Sequence, residues 1–504
     1  MPSYLYDLIR SRAPSPEKVF LENHDGRAIT YGGLHDGSAR IANALVSLGV
    51  KPGDRVAVQV EKSPEMLLLY LACVRAGAIF LPLNTAYTAA EIAYFLGDAK
   101  PRVFVCGPTK KDALQTVADE AGVDHVETLG VNDDGSLADI TRSQDSNFAD
   151  ADRSEDDLAA ILYTSGTTGR SKGAMLSHDN LASNALTLVD YWRFTADDVL
   201  IHALPIYHTH GLFVATNTLL LAGGSMLFLP RLDTDAILGL MPRATSMMGV
   251  PTFYTRLLQH EGLTKEATSH MRLFVSGSAP LLAETHIEWR ARTGHAILER
   301  YGMTETNMNT SNPYDGERIA GTVGFPLPGV DVRITEPEDE KVLAQGEIGM
   351  IEVRGPNVFK GYWQMPEKTR EELRDNGFFI TGDLGKIDEH GYVHIVGRNK
   401  DLVITGGFNV YPVEVEAEID ALPGVVESAV IGVANADFGE GVTAIVVPDN
   451  RTPVDEAGVL QALDGRLAKF KLPKRVLFVD ELPRNTMGKV QKAALRDTYA
   501  ELYK

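Results

Sequence analysis

The sequence predicts an α/β protein with a large N-terminal domain and a small C-terminal domain, on three observations. Strand-like and helix-like segments alternate over roughly the first 325 residues, as in a largely parallel sheet covered by helices. After about residue 325 the chain changes to short strands joined by turns, which is typical of antiparallel sheet. Beyond about residue 400 helices and strands begin again, which indicates a separate α+β unit.

The alternation is clearest in residues 55–83. RVAVQV predicts a strand with Val56, Val58 and Val60 on one face, SPEMLLLYLACVRAG predicts a buried helix, and AIFLPL predicts the next strand. The pattern recurs in SMLFLP, TSMMGV and MRLFVSG as strands, and in TFYTRLLQH and LAETHIEWRARTG as helices. Residues 199–230 carry no Asp, Glu, Lys or Arg, but their proline, paired glycines and histidines favour a buried helix and strand over a membrane span.

The last third of the chain predicts two smaller units. GVDVRITEPEDEKVL, GEIGMIEVRG and GYVHIVGR predict a β-rich subdomain over residues 325–399. After it we expect a helix at 413–422, strands at SAVIGV and TAIVVP, a helix at 456–470 and a strand at RVLFVD. The predicted division is therefore residues 1–399 and 400–504, with the boundary near Lys400.

The composition excludes several functional classes. The chain has 504 residues and a formal net charge of −20, which argues against nucleic-acid binding and against docking on anionic membranes. Cys73 and Cys106 lie in apolar segments and are predicted to be buried thiols rather than a disulfide or a nucleophile. The first residues lack the apolar core of a signal peptide, so we expect a cytoplasmic protein.

The strongest local motif is YTSGTTGRSKG, residues 163–173. Its glycines let backbone N–H groups approach an anion, while its hydroxyls and Lys172 add donors and positive charge. This composition predicts a polyphosphate-binding loop, although it is not a Walker A motif, because Ser171 stands where that motif needs glycine. The alternative is a flexible polar loop.

Other motifs carry residue types that bind nucleotides. In YGMTE, Glu305 can hold Mg²⁺ through oxygen ligands and Tyr301 can stack on a purine, although Thr304 alone would also suit a helix cap. Asp383 of the TGD motif can accept the two hydroxyls of a ribose, or it can be a turn residue. Two more basic segments follow, GRNKD and PRNTMGKV.

In this order and spacing, the five motifs resemble the adenylate-forming superfamily of acyl-CoA synthetases, firefly luciferase and adenylation domains. The resemblance spans residues from about 28 to 495. It implies an N-terminal domain of layered α/β sheets with a small β-barrel-like subdomain, and a mobile C-terminal α+β domain. It also implies that a carboxylate and ATP form an acyl-AMP and pyrophosphate with Mg²⁺ as cofactor, and that the thiol of CoA then attacks the acyl-AMP.

The resemblance implies a role for each motif residue. The loop is implied to bind the β- and γ-phosphates, and Thr304 the α-phosphate. Glu305 is implied as the Mg²⁺ ligand, and Lys400 lies at the implied hinge. Lys489 is implied as the lysine of adenylation, where its charge offsets the charge that accumulates when two anions react. The implied nucleotide contacts are Thr164, Ser165, Gly166, Thr167, Thr168 and Lys172 for phosphate, Gly277, Ser278, Ala279, Pro280 and Tyr301 for adenine, and Asp383 and Arg398 for ribose.

The acid is predicted from the residue before Tyr301, which the resemblance places at the acyl pocket. Here it is Arg300, a long cation that shortens the pocket and offers a fork for a second carboxylate. The alternative is a salt bridge, for example with Glu299. Further candidates at the acyl end are His208, Ser278 and Arg256, the last of which is otherwise a surface or structural arginine.

LERYGMTETN, LPIYHTHGLF and GVPTFYTRLL together resemble bacterial malonyl-CoA synthetases. They predict the dicarboxylate malonate as substrate, with methylmalonate tolerated. The runner-up is a short- or medium-chain monocarboxylate–CoA ligase in which Arg300 is structural. A stand-alone adenylation module that loads a carrier protein fits less well, since the pocket motif offers no Asp for an α-amino group.

The CoA site is the least defined prediction. Gly406 and Gly407 can line a pantetheine tunnel once the small domain has turned, and Lys469, Lys471 and Lys474 are candidates for the CoA phosphates unless they form a solvated helix end. Lys489 is also a predicted target of a lysine acetyltransferase, because it should be exposed once the small domain has turned to the thioester pose. Acetylation there would remove the charge that adenylation needs.

Overall fold

The computed structural model describes residues 4–164, 171–336, 340–449, 451–485 and 488–503. The helices are α1 (Tyr4–Arg12), α2 (Tyr31–Ser47), α3 (Pro64–Ala76), α4 (Ala89–Ala99), α5 (Lys111–Glu120), α6 (Ser136–Arg142), α7 (His178–Tyr191), α8 (Thr218–Ala222), α9 (Thr234–Leu240), α10 (Pro251–Leu258), α11 (Ala283–Thr293), α12 (Pro366–Glu372), α13 (Pro412–Asp420), α14 (Glu456–Leu463) and α15 (Lys492–Thr498). A π-helical segment, His210–Asn217, precedes α8, and short 3₁₀ turns lie at Pro108–Lys110, Met241–Arg243 and Asn399–Asp401.

The strands follow the predicted order along the chain. They are β1 (Val19–Asn23), β2 (Ala28–Thr30), β3 (Arg55–Gln59), β4 (Ile79–Pro82), β5 (Val103–Cys106), β6 (His125–Thr128), β7 (Leu158–Tyr163), β8 (Gly173–Ser177), β9 (Val199–His202), β10 (Ser225–Phe228), β11 (Ser246–Gly249), β12 (Leu273–Ser276), β13 (Leu298–Met303), β14 (Asn307–Ser311), β15 (Phe325–Pro326), β16 (Asp331–Thr335), β17 (Gly349–Arg354), β18 (Phe379–Ile387), β19 (Val393–Arg398), β20 (Val403–Thr405), β21 (Phe408–Val410), β22 (Val425–Asn435), β23 (Gly439–Pro448) and β24 (Arg475–Phe478).

Two large sheets form the N-terminal part of the protein. The first has the order β15-β14-β13-β12-β11-β9-β10-β1-β2 and the second the order β6-β5-β3-β4-β7-β8. Neighbours from β1 to β13 in the first sheet are parallel, as are all pairs of the second except β7 with β8. The predicted α/β class is therefore confirmed, and the carboxyl ends of the parallel strands meet at one edge, where such sheets bind ligands.

Helix α3 shows how local sequence produces these elements. Ser63 caps it by accepting a hydrogen bond from the N–H of Met66 at 3.2 Å, and Pro64 occupies the first turn. Gly77 ends the helix with φ of 70°, a left-handed conformation that suits glycine. The helix is buried between strands, and Cys73 inside it and Cys106 on β5 are both buried free thiols.

The remaining strands form two smaller sheets. β16 to β19 make an antiparallel sheet, and β21-β20-β23-β22, with β24 parallel to β23, make the sheet of the C-terminal α+β unit. These sheets match the predicted β-rich segment and the small unit that follows it. The predicted boundary near Lys400 falls in the turn Asn399–Asp401 between them and stays a prediction.

One local expectation was wrong, and two of the alternatives considered for single residues are excluded. The helix predicted at 456–470 ends at Leu463, because Gly465 follows in a left-handed turn with φ of 80°. Thr304 begins no helix, since it lies in the turn between β13 and β14. Asp383 is not a turn residue but lies inside β18.

The uncharged segment 199–230 forms β9, the π-helical segment, α8 and β10. Among the described residues, no helix is both long and apolar enough to cross a membrane. The cytoplasmic location stays a prediction.

Candidate active site

Arg300 is a buried cation, and two of its nitrogens have no hydrogen-bond partner in the part of the chain that the structure describes. Its side chain, on β13, is only 3% exposed, and its Nε and Nη2 atoms have no hydrogen-bond acceptor among the described residues. Because strand residues alternate between faces, Glu299 points the other way, with its carboxylate 3.5 Å from His286 and 3.4 Å from the N–H of Gly321. The alternative salt bridge between Arg300 and Glu299 is therefore absent.

Burial of this guanidinium is energetically costly. Desolvation lowers the pKa of Arg300 to about 9, whereas the hydroxyl of Tyr254 acts in the opposite direction. A buried charge is normally paired, because its desolvation penalty is several kcal/mol. An anion supplied by a ligand would offset that penalty at Arg300.

Two buried histidines and a serine lie near Arg300. Burial, followed by the charges of Lys489 and Arg300, lowers the pKa of His208 to about 3. Burial and Arg300 also hold the pKa of His210 well below its usual value, so both imidazoles are uncharged at neutral pH. The hydroxyl of Ser278 lies 3.3 Å from His210 Nδ1. The backbone of Ser278 has a φ of 71°, which is strained for a serine.

His210 was missed in the sequence, although it stands two residues after His208 in the same motif. It is buried, and its Nε2 atom has no hydrogen-bond partner among the described residues. Arg256, in contrast, was predicted at the acyl end. The structure places its side chain in solvent, on the side of α10 opposite Tyr254, so it does not join Arg300.

A second cluster contains the residues assigned to adenine and ribose. Asp383 on β18 is 4% exposed and faces Arg398 on the neighbouring β19, whose Nε donates to it at 2.9 Å. The hydroxyl of Tyr301 donates to the other oxygen of Asp383 at 2.5 Å. The structure thus brings these three predicted residues together, and the chain segment 277–280 begins directly after β12, at the same edge of the sheet.

A third cluster contains the predicted phosphate lysine and metal carboxylate. Lys172 Nζ lies 3.0 Å from both carboxylate oxygens of Glu372 and 3.1 Å from the hydroxyl of Tyr362. That hydroxyl lies 3.0 Å from Glu305 and 2.6 Å from Glu372. The predicted loop residues Ser165, Gly166, Thr167 and Thr168 lie outside the described residues, but the loop closes at its base through Thr164 N–H donating to the carbonyl of Lys172 at 2.9 Å.

Glu305 fits the chemistry of a magnesium ligand. It is 5% exposed, and burial is the main cause that raises the pKa of its carboxyl, against the lowering effect of Tyr362 and Lys172. The described residues hold no group of three or more His, Cys, Asp or Glu suited to a metal. Mg²⁺ does not need one here, because in nucleotide sites it uses one or two carboxylates plus phosphate oxygens and water.

Lys489 reaches this cleft from the C-terminal unit. Desolvation in the cleft and the charge of Arg398 lower the pKa of its ammonium, while Asp383 and Glu305 raise it. Two hydrogen bonds join Lys489 to Asn485. The N–H of Lys489 donates to Asn485 Oδ1 at 3.0 Å, and the N–H of Asn485 donates to the carbonyl of Lys489 at 2.9 Å. The residues predicted to bind adenine, ribose, phosphate and the acyl group therefore lie around the cleft that Lys489 enters.

The comparisons with known proteins agree with this geometry. The family model described as AMP-binding enzyme matches residues 9–363, and that of the AMP-binding enzyme C-terminal domain matches residues 414–489. The chain belongs to the AMP-binding enzyme family.

Among its relatives, the malonate–CoA ligase of Arabidopsis thaliana is 35% identical, with 94% of this chain and 85% of that protein aligned. A feruloyl-CoA synthase from an Amycolatopsis species is 37% identical, with 97% of each chain aligned. The ATP-bound structure of MatB from Rhodopseudomonas palustris is 67% identical, covers 100% of both chains and has a TM-score of 0.98, against 0.87 for its apo structure.

The remaining predictions fall on the C-terminal unit of this AMP-binding enzyme. Lys400 lies in the turn after β19, where desolvation and Arg398 lower its pKa to about 8. Gly406 and Gly407 form the exposed β20–β21 turn, with φ of 57° and 80°. Of the CoA candidates, Lys471 pairs with Glu414 at 2.5 Å, Lys474 lies 4.6 Å from the ring of Phe438, and Lys469 is exposed.

Proposed function

We propose that this protein is an AMP-forming malonate–CoA ligase, which converts malonate, ATP and CoA into malonyl-CoA, AMP and pyrophosphate. The observation that carries the proposal is the buried guanidinium of Arg300, whose Nε and Nη2 atoms have no acceptor. The identity of 35% to a malonate–CoA ligase over 94% of the chain supports the same substrate.

Arg300 selects the acid through its unpaired charge. A malonate carboxylate would pair with the guanidinium while the other carboxylate reaches toward Lys489, with Ser278 and the neutral His208 on the pocket wall. A monocarboxylate would leave the buried cation unpaired. Sites built around such a polar contact reject analogues that lack it by roughly 10⁴-fold. Methylmalonate has the same two charges, so we expect it to be tolerated.

The nucleotide roles follow from the clusters described above. Asp383 and Arg398 would hold the ribose, and Tyr301 and residues 277–280 would hold the adenine. Lys172 and the adjacent loop would bind the β- and γ-phosphates. Thr304 would bind the α-phosphate. Glu305 would hold Mg²⁺, which when bound neutralises phosphate charge and orients the oxygens. The buried carboxylate is free to do so, since its only described side-chain contact is the hydroxyl of Tyr362.

The chemistry proceeds in two balanced steps. A malonate oxygen attacks the α-phosphorus, the P–O bond to pyrophosphate breaks, and malonyl-AMP forms; Lys489 lies between the two anions and stabilises the charge that accumulates. The CoA thiolate then attacks the acyl carbon, the bond to AMP breaks, and the thiol proton goes to solvent. No nucleophile of the protein is needed, in keeping with two buried cysteines.

We propose further that the C-terminal domain turns about Lys400 between these steps. In the present arrangement Lys489 occupies the cleft and the turn with Gly406 and Gly407 is exposed. After rotation this turn would line the pantetheine path while Lys489 leaves. The closer overlay on an ATP-bound relative, with a TM-score of 0.98 against 0.87, supports assignment of the present arrangement to adenylation.

The deciding experiment measures AMP release with ATP, Mg²⁺ and CoA across malonate, methylmalonate, succinate, acetate, octanoate and coumarate. We expect malonate to be preferred, and Arg300→Ala to lose that activity while Arg256→Ala, the exposed control, keeps it. A preference for a monocarboxylate would make this a monocarboxylate–CoA ligase. Full malonate activity in Arg300→Ala would show that Arg300 does not bind the second carboxylate.

Rotation of the C-terminal domain to the thioester arrangement would take Lys489 out of the cleft and expose it to a lysine acetyltransferase. Acetylation would remove the charge and stop adenylation but leave the thiol step intact. Acetylated protein that keeps full ATP-dependent turnover would contradict this proposal.

A further inference from the structure

Tyr362 and Glu372 connect the predicted phosphate lysine to the predicted metal carboxylate, and neither is part of the sequence motifs discussed above. Tyr362 is 2% exposed and its ring packs against Phe359 with centroids 4.8 Å apart. Glu372 is the last residue of α12, and its carboxylate pairs with Lys368 at 3.0 Å in addition to Lys172. Both side chains are thus held in place by contacts outside the nucleotide cleft.

The contacts of the Lys172 ammonium with other described residues involve only Glu372 and Tyr362. Its Nζ atom lies 4.1 Å from the centroid of the Tyr362 ring and is held on one side by the Glu372 carboxylate. An ammonium has three hydrogens. The two Glu372 oxygens can share one hydrogen and the Tyr362 oxygen can take another, so the contacts among the described residues leave the third for a phosphate oxygen.

Glu305 lies on the other side of the Tyr362 hydroxyl from Lys172. The Tyr362 hydroxyl lies 3.1 Å from Lys172 and 3.0 Å from Glu305, so a single phenol separates the two charges. If Glu372 lost its charge, Lys172 would be drawn to Glu305, because opposite charges attract strongly where water is excluded. That ion pair would remove both the cation offered to phosphate and the carboxylate offered to the metal.

We propose that Glu372 and Tyr362 are positioning residues that keep Lys172 and Glu305 apart and available to Mg²⁺ and the nucleotide phosphates. Glu372 supplies the alternative partner for the lysine, and Tyr362 fixes the spacing between lysine and carboxylate. This role rests on the proposed use of Lys172 and Glu305 in the first step. It does not depend on which acid the enzyme activates.

The test titrates Mg²⁺ and an ATP analogue with a methylene bridge between the α- and β-phosphorus into the full-length protein by calorimetry, without acid or CoA. Glu372→Gln keeps the shape of the side chain and removes its charge, and Tyr362→Phe removes only the hydroxyl. We expect each to weaken analogue binding about tenfold, the loss of one charge-assisted contact, and to raise the Mg²⁺ concentration needed.

Glu371→Gln is the matched control. It neutralises the neighbouring residue of α12, which is exposed and pairs only with Lys368, at 2.8 Å, among the described residues. We expect its analogue binding to equal that of the parent. In all three variants thioester formation from supplied malonyl-AMP and CoA should be unchanged, since that step uses neither Lys172 nor Glu305.

Two results would overturn the proposal. Unchanged analogue binding in Glu372→Gln and Tyr362→Phe would make the cluster structural. Tighter binding in Glu372→Gln would mean that Glu372 competes with phosphate for Lys172. A monocarboxylate preference in the AMP-release assay would leave the calorimetry untouched, so failure of the malonate assignment is distinguishable from failure of this one.

Discussion

The guanidinium of Arg300 lies against the backbone of Gly277, in space that any side chain would occupy. A Cβ placed on Gly277 would lie 2.4 Å from Arg300 Cζ and 2.4 Å from its Nη1. Gly277 follows β12, and Arg300 lies within the neighbouring β13. Because Gly277 has no side chain, the guanidinium of Arg300 can reach the acyl pocket.

Gly277→Ala therefore tests the position of Arg300 without removing its charge. The added methyl must displace the guanidinium, and we expect kcat/KM for malonate to fall by about 10²-fold or more, as misplacement of a substrate-binding group by 1 Å can cause. Steady-state AMP release across malonate concentrations measures it. Unchanged kinetics for malonate would show that the Arg300 position is unimportant.

Tyr301→Phe removes the hydrogen bond to Asp383 and keeps the ring. Asp383 would then be held by Arg398 alone, and we expect KM for ATP to rise about three- to tenfold, the cost of one hydrogen bond to a charged group, with KM for malonate unchanged. Tyr191→Phe is the control, because with other described residues its hydroxyl makes only a 3.4 Å contact, to the carbonyl of Ser311. An equal rise in both KM values would point to general disruption of the site.

Lys489→Gln separates the two half-reactions. Loss of the cation should slow pyrophosphate exchange by about 10²–10³-fold, the effect of removing one preorganised electrostatic group, while malonyl-AMP and CoA still give malonyl-CoA. Lys360→Gln, which removes an exposed partner of Asp156, should change neither rate. If Lys489→Gln lost both half-reactions equally, the lysine would not be specific to adenylation.

The sequence predicted the elements that depend on short-range signals. Helix α3 carries its own serine cap and terminal glycine, and the opposite orientation of Glu299 and Arg300 follows from strand alternation alone. The length of α14 was wrong because the stop at Gly465 depends on a backbone conformation that the surrounding helix pattern conceals.

Contacts between distant parts of the chain were less predictable. Glu372 lies in PEKTREE, a charged segment whose composition suggests a solvated helix, and nothing local indicates that its last residue meets Lys172. Arg256 failed as a pocket residue for a similar reason, since its sequence neighbours do not reveal which face of α10 is covered. Placement of Lys489 in the cleft rested on family resemblance rather than on its local sequence.

Asp420 gives a stability prediction that depends on pH. Desolvation at the end of α13, with the nearby charges of Glu416, Glu427 and Glu284 adding to it, raises its pKa to about 7, well above that of an unfolded aspartate. Between about pH 4 and pH 7 the folded state therefore binds more protons than the unfolded state. Stability contributed by this group falls as pH rises through that window, by at most about 1.4 kcal/mol per pH unit.

Asp420→Asn should remove this dependence. The neutral amide resembles the protonated acid, so we expect the melting temperature of the variant to exceed that of the parent at pH 8 by more than at pH 5. Asp437→Asn, at an exposed position, should give the same small difference at both pH values. Thermal unfolding by circular dichroism at the two pH values measures both, and an Asp420→Asn difference that does not change with pH would show that the carboxyl does not titrate in this range.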